Sequence, residues 1–171
     1  MTDLQQAKPM LRLVQGDVGC GKTVVAALAA LLAIDNGYQV AMMAPTELLA
    51  EQHYQNFKQW FAPLLISVTY IVGKVKGKAR RNSLEDIALG NAKMIIGTNA
   101  IFQEHVVFKQ LGLGIIDEQH RFGVHQRLAL REKGKQADYY PHQLVMTATP
   151  IPRTLAMMLY ADLDCSVIDE L

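Results

Sequence analysis

At 171 residues, half of them apolar and 19% charged, the chain has the size and composition of one globular domain with a core large enough to stand alone. Its net charge of +1 excludes a protein-wide basic or acidic field, so any nucleic-acid surface has to be local. Cys20 and Cys165 make no C-x-x-C and no disulfide framework, the opening MTDLQQAKPM has no apolar signal core, and the longest apolar run, Val24 to Ile34, is far short of the ~20 residues of a membrane span, so a reducing, cytoplasmic setting without membrane is expected.

Met10–Gln15 reads as a buried strand ended by Gly16. Residues 16–23, GDVGCGKT, match G-x-x-x-x-G-K-S/T in full. Gly16, Gly19 and Gly21 let the backbone turn tightly and aim its N–H groups inward, where they and the next helix N-terminus make an anion cradle. Lys22 is a point charge for the β- and γ-phosphates of a nucleotide, and the Thr23 hydroxyl is a Mg²⁺ ligand. Cys20 fills a variable position, where its backbone matters more than its thiol. Thr23–Ile34 is apolar all round, as a helix packed on a sheet should be, and Asn36–Gly37 stops it.

Gln39–Ala44 is the second strand. Pro45 breaks it, Thr46 can cap the following helix, and Glu47 suits that helix's positive first turn. Phe57, Trp60 and Phe61 recur at helical spacing and are expected in the core. Ser67–Val72 is the third strand. GKVKGKARR, residues 73–81, carries five basic residues and reads either as a solvated loop entering a helix or as a DNA-backbone contact. A helix is expected around Lys78–Leu89, then a strand at Met94–Gly97.

Leu113–Asp117 is an apolar strand that ends in two carboxylates, Asp117 and Glu118. In a chain that already holds the phosphate loop, the first acid completes a Mg²⁺ site and the second orients or deprotonates an attacking water. Helices around Val124–Lys133 and Arg153–Tyr160 and strands at Gln143–Thr147 and Ser166–Ile168 complete the pattern. Strands alternating with helices predict βαβ units and a parallel sheet. Right-handed crossovers then gather the carboxyl ends of the strands on one edge, where ligands bind. His53, His105, His125 and His142 have no zinc-ligand spacing, Arg121, Arg127 and Arg153 suit surface or interlobe contacts, and the eight methionines suit core filling.

Asp117-Glu118-Gln119-His120 is a D-E-x-H box, and Thr147-Ala148-Thr149 is a T-A-T motif. With the phosphate loop they resemble the superfamily-two helicases and translocases, whose motifs Ia and Ib resemble APTELLA (residues 44–50) and IIGTNA (residues 95–100). DEQHRFGVHQR (117–127), TATPIPRTLA (147–156) and NAIFQE (99–104) resemble the RecG family of branch-migration helicases. The transcription-repair coupling factors share RFGV and TATPIPRTL but usually carry D-E-E-H, so Gln119 favours the RecG family.

The resemblance covers nearly the whole chain. It implies an α/β, RecA-like P-loop NTPase fold, a mostly parallel sheet flanked by helices on both faces. Residues 1–171 would be a single N-terminal ATP-binding lobe, without the wedge domain and the second motor lobe of such helicases. The activity implied is ATP-dependent remodelling of branched DNA and stalled forks in recombination and repair, in a monomer, with ATP and Mg²⁺ as cofactors. Gly16, Asp17, Val18, Gly19, Cys20, Gly21, Lys22 and Thr23 would bind the nucleotide. Lys22, Asp117, Glu118 and His120 would be catalytic, and Thr23 and Asp117 would hold the metal.

His120 would link the nucleotide state to Thr147 and Thr149, and Pro45, Thr46, Gly97 and Thr98 would lie along the DNA backbone. The partners implied are branched or forked DNA and a second RecA-like lobe. That lobe supplies an arginine, so the chain alone should turn over slowly. Two residues depart from the family pattern: Cys20 replaces a serine whose side chain points away from the loop, and Asn99 replaces a histidine in motif Ib. Two competing expectations are a nucleotide- or DNA-binding module without turnover, and a small P-loop kinase or transporter ATPase. The latter would need a lid or signature motif in place of D-E-Q-H and T-A-T.

Overall fold

The structure, a computed structural model, describes residues 9–74, 76–117, 132–135, 139–149 and 164–168. Its strands are β1 (Leu11–Gly16), β2 (Gln39–Met43), β3 (Val68–Ile71), β4 (Met94–Gly97), β5 (Leu111–Asp117), β6 (His142–Thr147) and β7 (Asp164–Ile168). Its helices are α1 (Lys22–Asp35), α2 (Glu47–Phe61) and α3 (Gly77–Leu89), with short 3-10 turns at Ala62–Leu64 and Asn99–Phe102. The strand order is β3-β4-β2-β5-β6-β1-β7, and each pairing is parallel. The helices expected over 124–133 and 153–160 fall outside the described residues, apart from Glu132 and Lys133, which are helical.

The central strands are continuous apolar runs because both faces are covered. Side chains alternate between two cores. Val14, Val40, Met42, Met94, Ile96, Leu113, Ile115, Leu144 and Met146 meet α1 and α2 on one face. Leu13, Ala41, Met43, Ile95, Ile116 and Val145 meet Ile87 of α3 and the 3-10 turn residues Ala100 and Ile101 on the other. A register shift at Gln39/Val40 opposes Leu111 and Leu113, so Gly112 is an extra residue. That shift leaves Leu111 and Leu113 in different cores, as a bulge does. No Cβ fits at Gly112, since it would lie 2.5 Å from the Tyr38 side chain.

Two expectations about packing are corrected. The helix α1 buries Ala26, Ala27, Ala29 and Ala30 and packs Leu31, Ala33 and Ile34 partly buried beside them, while Val24 and Leu28 are about half exposed; alanines let the helix sit close to the sheet. In α2, Phe57 and Phe61 are buried but Trp60 is 40% exposed. Ala50, His53, Phe57 and Phe61 form the buried stripe, and Trp60 lies at its rim, its ring 5.6 Å from that of Phe57. Met10, Met42, Met43, Met94 and Met146 are core residues as expected. No described helix is long and apolar enough to cross a membrane.

Candidate functional site

Four groups of the singled-out residues lie at the carboxyl edge of the sheet. The loop of residues 16–23 leaves β1 and enters α1. At Gly16 a Cβ would stand 2.5 Å from Cys20 Sγ and 3.0 Å from the Ile168 carbonyl oxygen, so a side chain there would displace the sulfur and press on β7. Gly19 and Gly21 have φ of 89° and 91°, the left-handed region where glycine pays no steric cost. A turn closes over residues 17–20, with Cys20 N donating to the Asp17 carbonyl at 3.2 Å.

Gly21 caps α1 without a side-chain hydrogen bond. Among the described residues the Val24 and Val25 amides donate to the Gly21 carbonyl, which leaves those of Lys22 and Thr23 at the start of a 14-residue helix for a ligand. Lys22 Nζ donates to the carbonyls of Gly16 and Asp17, each at 2.7 Å. The ammonium is held inside the loop rather than extended from α1. An exposed loop that combines free helix-start amides with a tethered ammonium fits an anion of phosphate type. The Cys20 side chain is turned inward, against the expectation. Its Sγ packs over Gly16 and lies 3.7 Å from Lys22 Nζ, because Gly16 leaves a gap that a sulfur fills.

Asp117 is the last residue of β5 and is buried. Its Oδ2 lies 2.7 Å from His53 Nε2 on α2. Glu118, Gln119 and His120 are outside the described residues. Strand β6 separates β5 from β1, so Asp117 and the phosphate loop are two strand spacings apart, roughly 10 Å. The Thr23 hydroxyl and the Asp117 carboxylate are hard oxygen donors. That set suits Mg²⁺, which keeps several waters and needs only one or two protein ligands. Among the described residues, no cluster of three or more His, Cys, Asp or Glu could form an all-protein metal cage.

Thr147 ends β6 fully buried, level with Gln15 of β1. Its Oγ1 accepts from the Thr149 amide at 3.1 Å and lies 2.9 Å from Thr149 Oγ1. The two threonines thus act as one unit directly beside the phosphate loop.

Pro45, Thr46, Gly97 and Thr98 come together from two neighbouring strand ends. Met43 is level with Gly97 in the sheet, and the Ala44 amide donates to the Gly97 carbonyl at 2.9 Å. Thr46 Oγ1 caps α2 by accepting from the Leu49 amide at 3.2 Å, so its hydroxyl is already engaged. Gly97 is demanded by packing, since a Cβ there would lie 1.9 Å from the Ile71 carbonyl oxygen.

The basic run 73–81 divides. Lys74 pairs with Glu47 at 2.6 Å, and that carboxylate raises its pKa. Arg80 donates to the carbonyl of Val72 at 3.0 Å and to Gln103 Oε1 at 2.6 Å, and lies 2.9 Å from His105 Nε2. It ties α3 to β3 and to the loop that follows Gly97. Lys76, Lys78 and Arg81 are exposed.

His142 is a core histidine. Its Nδ1 accepts from the Met10 amide at 2.9 Å, and burial pushes its pKa down. His53 is the residue that motif spacing missed. A histidine inside the apolar stripe of α2 was the available signal, although the stripe does not name its partner.

Residues 2–158 match the family model described as DEAD/DEAH box helicase. Over 169 residues the chain is 70% identical to an "ATP-dependent DNA helicase RecG" of Pasteurella multocida (strain Pm70), covering 99% of this chain and 24% of that protein. The protein of the same name from Aquifex aeolicus (strain VF5) is 51% identical over 171 residues, covering 100% and 21%. The chain therefore spans about a quarter of the length of these curated relatives. A solved structure described as RecG bound to a three-way DNA junction superposes with a TM-score of 0.83 at 44% identity, over 99% of this chain and 22% of that one. The helicase domain of Pyrococcus furiosus Hef shares the fold alone, with a TM-score of 0.71 at 20% identity, over 98% of this chain and 37% of that one.

Proposed function

The chain belongs to the DEAD/DEAH box helicase family and has its RecA-like fold, and on that premise we propose that it is the ATP-binding motor lobe of a RecG-type DNA helicase. The activity is ATP hydrolysis to ADP and phosphate coupled to remodelling of branched DNA and stalled forks in recombination and repair. The partners are branched or forked DNA and a second RecA-like lobe, in a cytoplasmic, monomeric protein. The observation that carries this is the phosphate loop, two left-handed glycines and a tethered lysine at an uncapped helix start, with Asp117 and the Thr147–Thr149 pair on the same sheet edge.

In this reading the amides of residues 16–23 hold the β- and γ-phosphates, and Lys22 neutralises them. The Lys22 side chain is already ordered by Gly16 and Asp17, so little further entropy is lost when phosphate arrives. Thr23 and Asp117 would hold Mg²⁺, which supplies charge neutralisation on the phosphate oxygens. Glu118 orients a water and accepts its proton as the water oxygen bonds to the γ-phosphorus and the β–γ bridge breaks. His120 links that event to Thr147 and Thr149.

Pro45, Thr46, Gly97 and Thr98 line the DNA backbone. The pairing of Met43 and Ala44 with Gly97 supports a shared surface at these two strand ends, and backbone contacts of this kind position a strand without reading its sequence. The second lobe supplies an arginine worth about 10³–10⁵ in rate.

The test is nucleotide binding and ATP hydrolysis by the chain, with and without branched DNA, beside Lys22→Ala. Binding that is lost in Lys22→Ala, with slow turnover that rises when the second lobe of a relative is added, is expected. A wild-type chain that binds no nucleotide refutes the assignment. Fast, DNA-stimulated turnover by the chain alone refutes the two-lobe account.

A further inference from the structure

Resting on the nucleotide reading above, we infer that His53 is a positioning residue for the metal-side carboxylate and joins the DNA-facing end of α2 to it. The geometry has three parts. His53 Nε2 lies 2.7 Å from Asp117 Oδ2, and both side chains are close to nine-tenths buried. Among the described residues His53 Nδ1 is buried without a hydrogen-bond partner, so the bond to Asp117 is the one that orients the ring within its packed surroundings. Finally, α2 is capped by Thr46, two residues after Ala44, whose amide donates to the Gly97 carbonyl, and His53 lies seven residues beyond the cap, roughly 10 Å along the axis at 1.5 Å per residue.

The chemistry follows from the donor set. An ionised carboxylate only accepts, so Nε2 donates. That bond occupies Oδ2 and fixes the plane of the carboxylate, so Oδ1 is presented in one orientation. A carboxylate free to rotate at a strand end would sample several. Partners that orient a metal ligand in this way typically hold 10–100-fold in metal affinity. The helix α2 is rigid over this span, with a capped start and a stripe of Ala50, Phe57 and Phe61 pinned to the sheet. Thr46 and His53 thus belong to one continuous helix, which holds the cap position and the carboxylate's partner in fixed relation. This route is separate from the one through Thr147 and Thr149, because it enters Asp117 from the opposite side of the strand order, across β2 rather than β6.

The test compares the wild-type chain with His53→Ala and His53→Gln, measuring the affinity of a fluorescent ADP as a function of Mg²⁺ concentration. Metal-free nucleotide affinity should be unchanged in both variants. The Mg²⁺ concentration for half-maximal effect should rise at least tenfold in His53→Ala. It should return towards wild type in His53→Gln, whose amide can still donate to Oδ2. Melting temperatures of all three report folding separately.

A His53→Ala chain with the wild-type Mg²⁺ dependence overturns the inference alone. So does a His53→Gln chain as impaired as His53→Ala while it melts at the wild-type temperature. A wild-type chain whose nucleotide affinity ignores Mg²⁺ overturns the metal assignment of Asp117 and this inference with it. If both variants melt early, ¹⁵N shifts of His53 in the wild-type chain decide: an Nε2–H donor perturbed by Mg²⁺-ADP supports the inference, and no perturbation overturns it.

Discussion

Gly97→Ala tests whether the edge that carries residues 45–46 and 97–98 depends on one close backbone approach. A Cβ at Gly97 would lie 1.9 Å from the Ile71 carbonyl oxygen, 2.9 Å from the carbonyl carbon and 3.2 Å from Ile101 Cγ1. The first two atoms are backbone and cannot swing aside. Strand β3 must therefore move away from β4. Overpacking of this kind costs about 1–3 kcal/mol. The Thr98 amide bond to the Ile71 carbonyl, 3.3 Å long, would be lost as well, at about 1 kcal/mol.

The total is about 2–4 kcal/mol. With a urea dependence of about 2 kcal/mol per molar for a chain of this size, the unfolding midpoint should fall by about 1–2 M. Gly73→Ala is the control, since nothing lies within 4 Å of its added Cβ and no left-handed φ forbids it. It should change stability by no more than about 0.5 kcal/mol. Urea titrations followed by circular dichroism measure both. A Gly97→Ala midpoint equal to wild type, or a Gly73→Ala shift of the same size, would refute the packing argument.

Two further variants probe buried polar groups. Gln39 is 1% exposed; its Nε2 donates to the carbonyls of Ile87 and Ala92 at 2.9 and 2.8 Å, and its Oε1 accepts from the amides of Lys109 and Gln110 at 2.8 and 3.0 Å. Gln39→Leu removes all four bonds; the Ile87 carbonyl keeps the Gly90 amide, and the remaining buried groups that lose this partner cost about 1–3 kcal/mol each, so melting should drop by about 10 °C; a drop under about 2 °C in a thermal scan would sink the argument. His142 has its pKa held below the ordinary 6.5 by burial, so the unfolded chain takes up the proton first as pH falls. The stability it contributes is complete above pH 6.5 and is lost as pH falls from there towards the folded value, at up to about 1.4 kcal/mol per unit. Urea midpoints between pH 7.5 and 5.5 should fall less steeply in His142→Asn, and equal slopes would contradict the assignment.

What could be read from the sequence follows from the range of the interactions involved. The phosphate loop was legible because its chemistry is local: glycines for left-handed backbone, a lysine and a hydroxyl within eight consecutive residues, on a strand-to-helix turn that the apolar pattern marks. Strand positions were legible because a sheet covered on both faces needs continuous apolar runs. Boundaries slipped by one or two residues where polar residues join strands: His142 opens β6 because it satisfies the Met10 amide, and Asp164 and Cys165 extend β7 beside Arg12 and Leu13. Trp60 was misjudged because helical spacing defines a stripe but not its width.

The inward turn of Cys20 and the pairing of His53 with Asp117 were not legible, for a common reason. Each depends on a gap or a partner that only the folded chain supplies. Gly16 leaves room for the Cys20 sulfur, and Asp117 is 64 residues from His53 in sequence. The sheet order sets β5 beside β2, and the crossover from β2 lays α2 over the same edge. A motif search that scores residues along the chain sees His53 only as an interruption in an apolar stripe. Burial beside an acid explains the interruption: a leucine there would leave the Asp117 carboxylate buried with no donor from α2, at a cost larger than the packing it adds. A polar residue that breaks a core stripe therefore marks where to look for a buried acid, and here that acid is the one that ends β5.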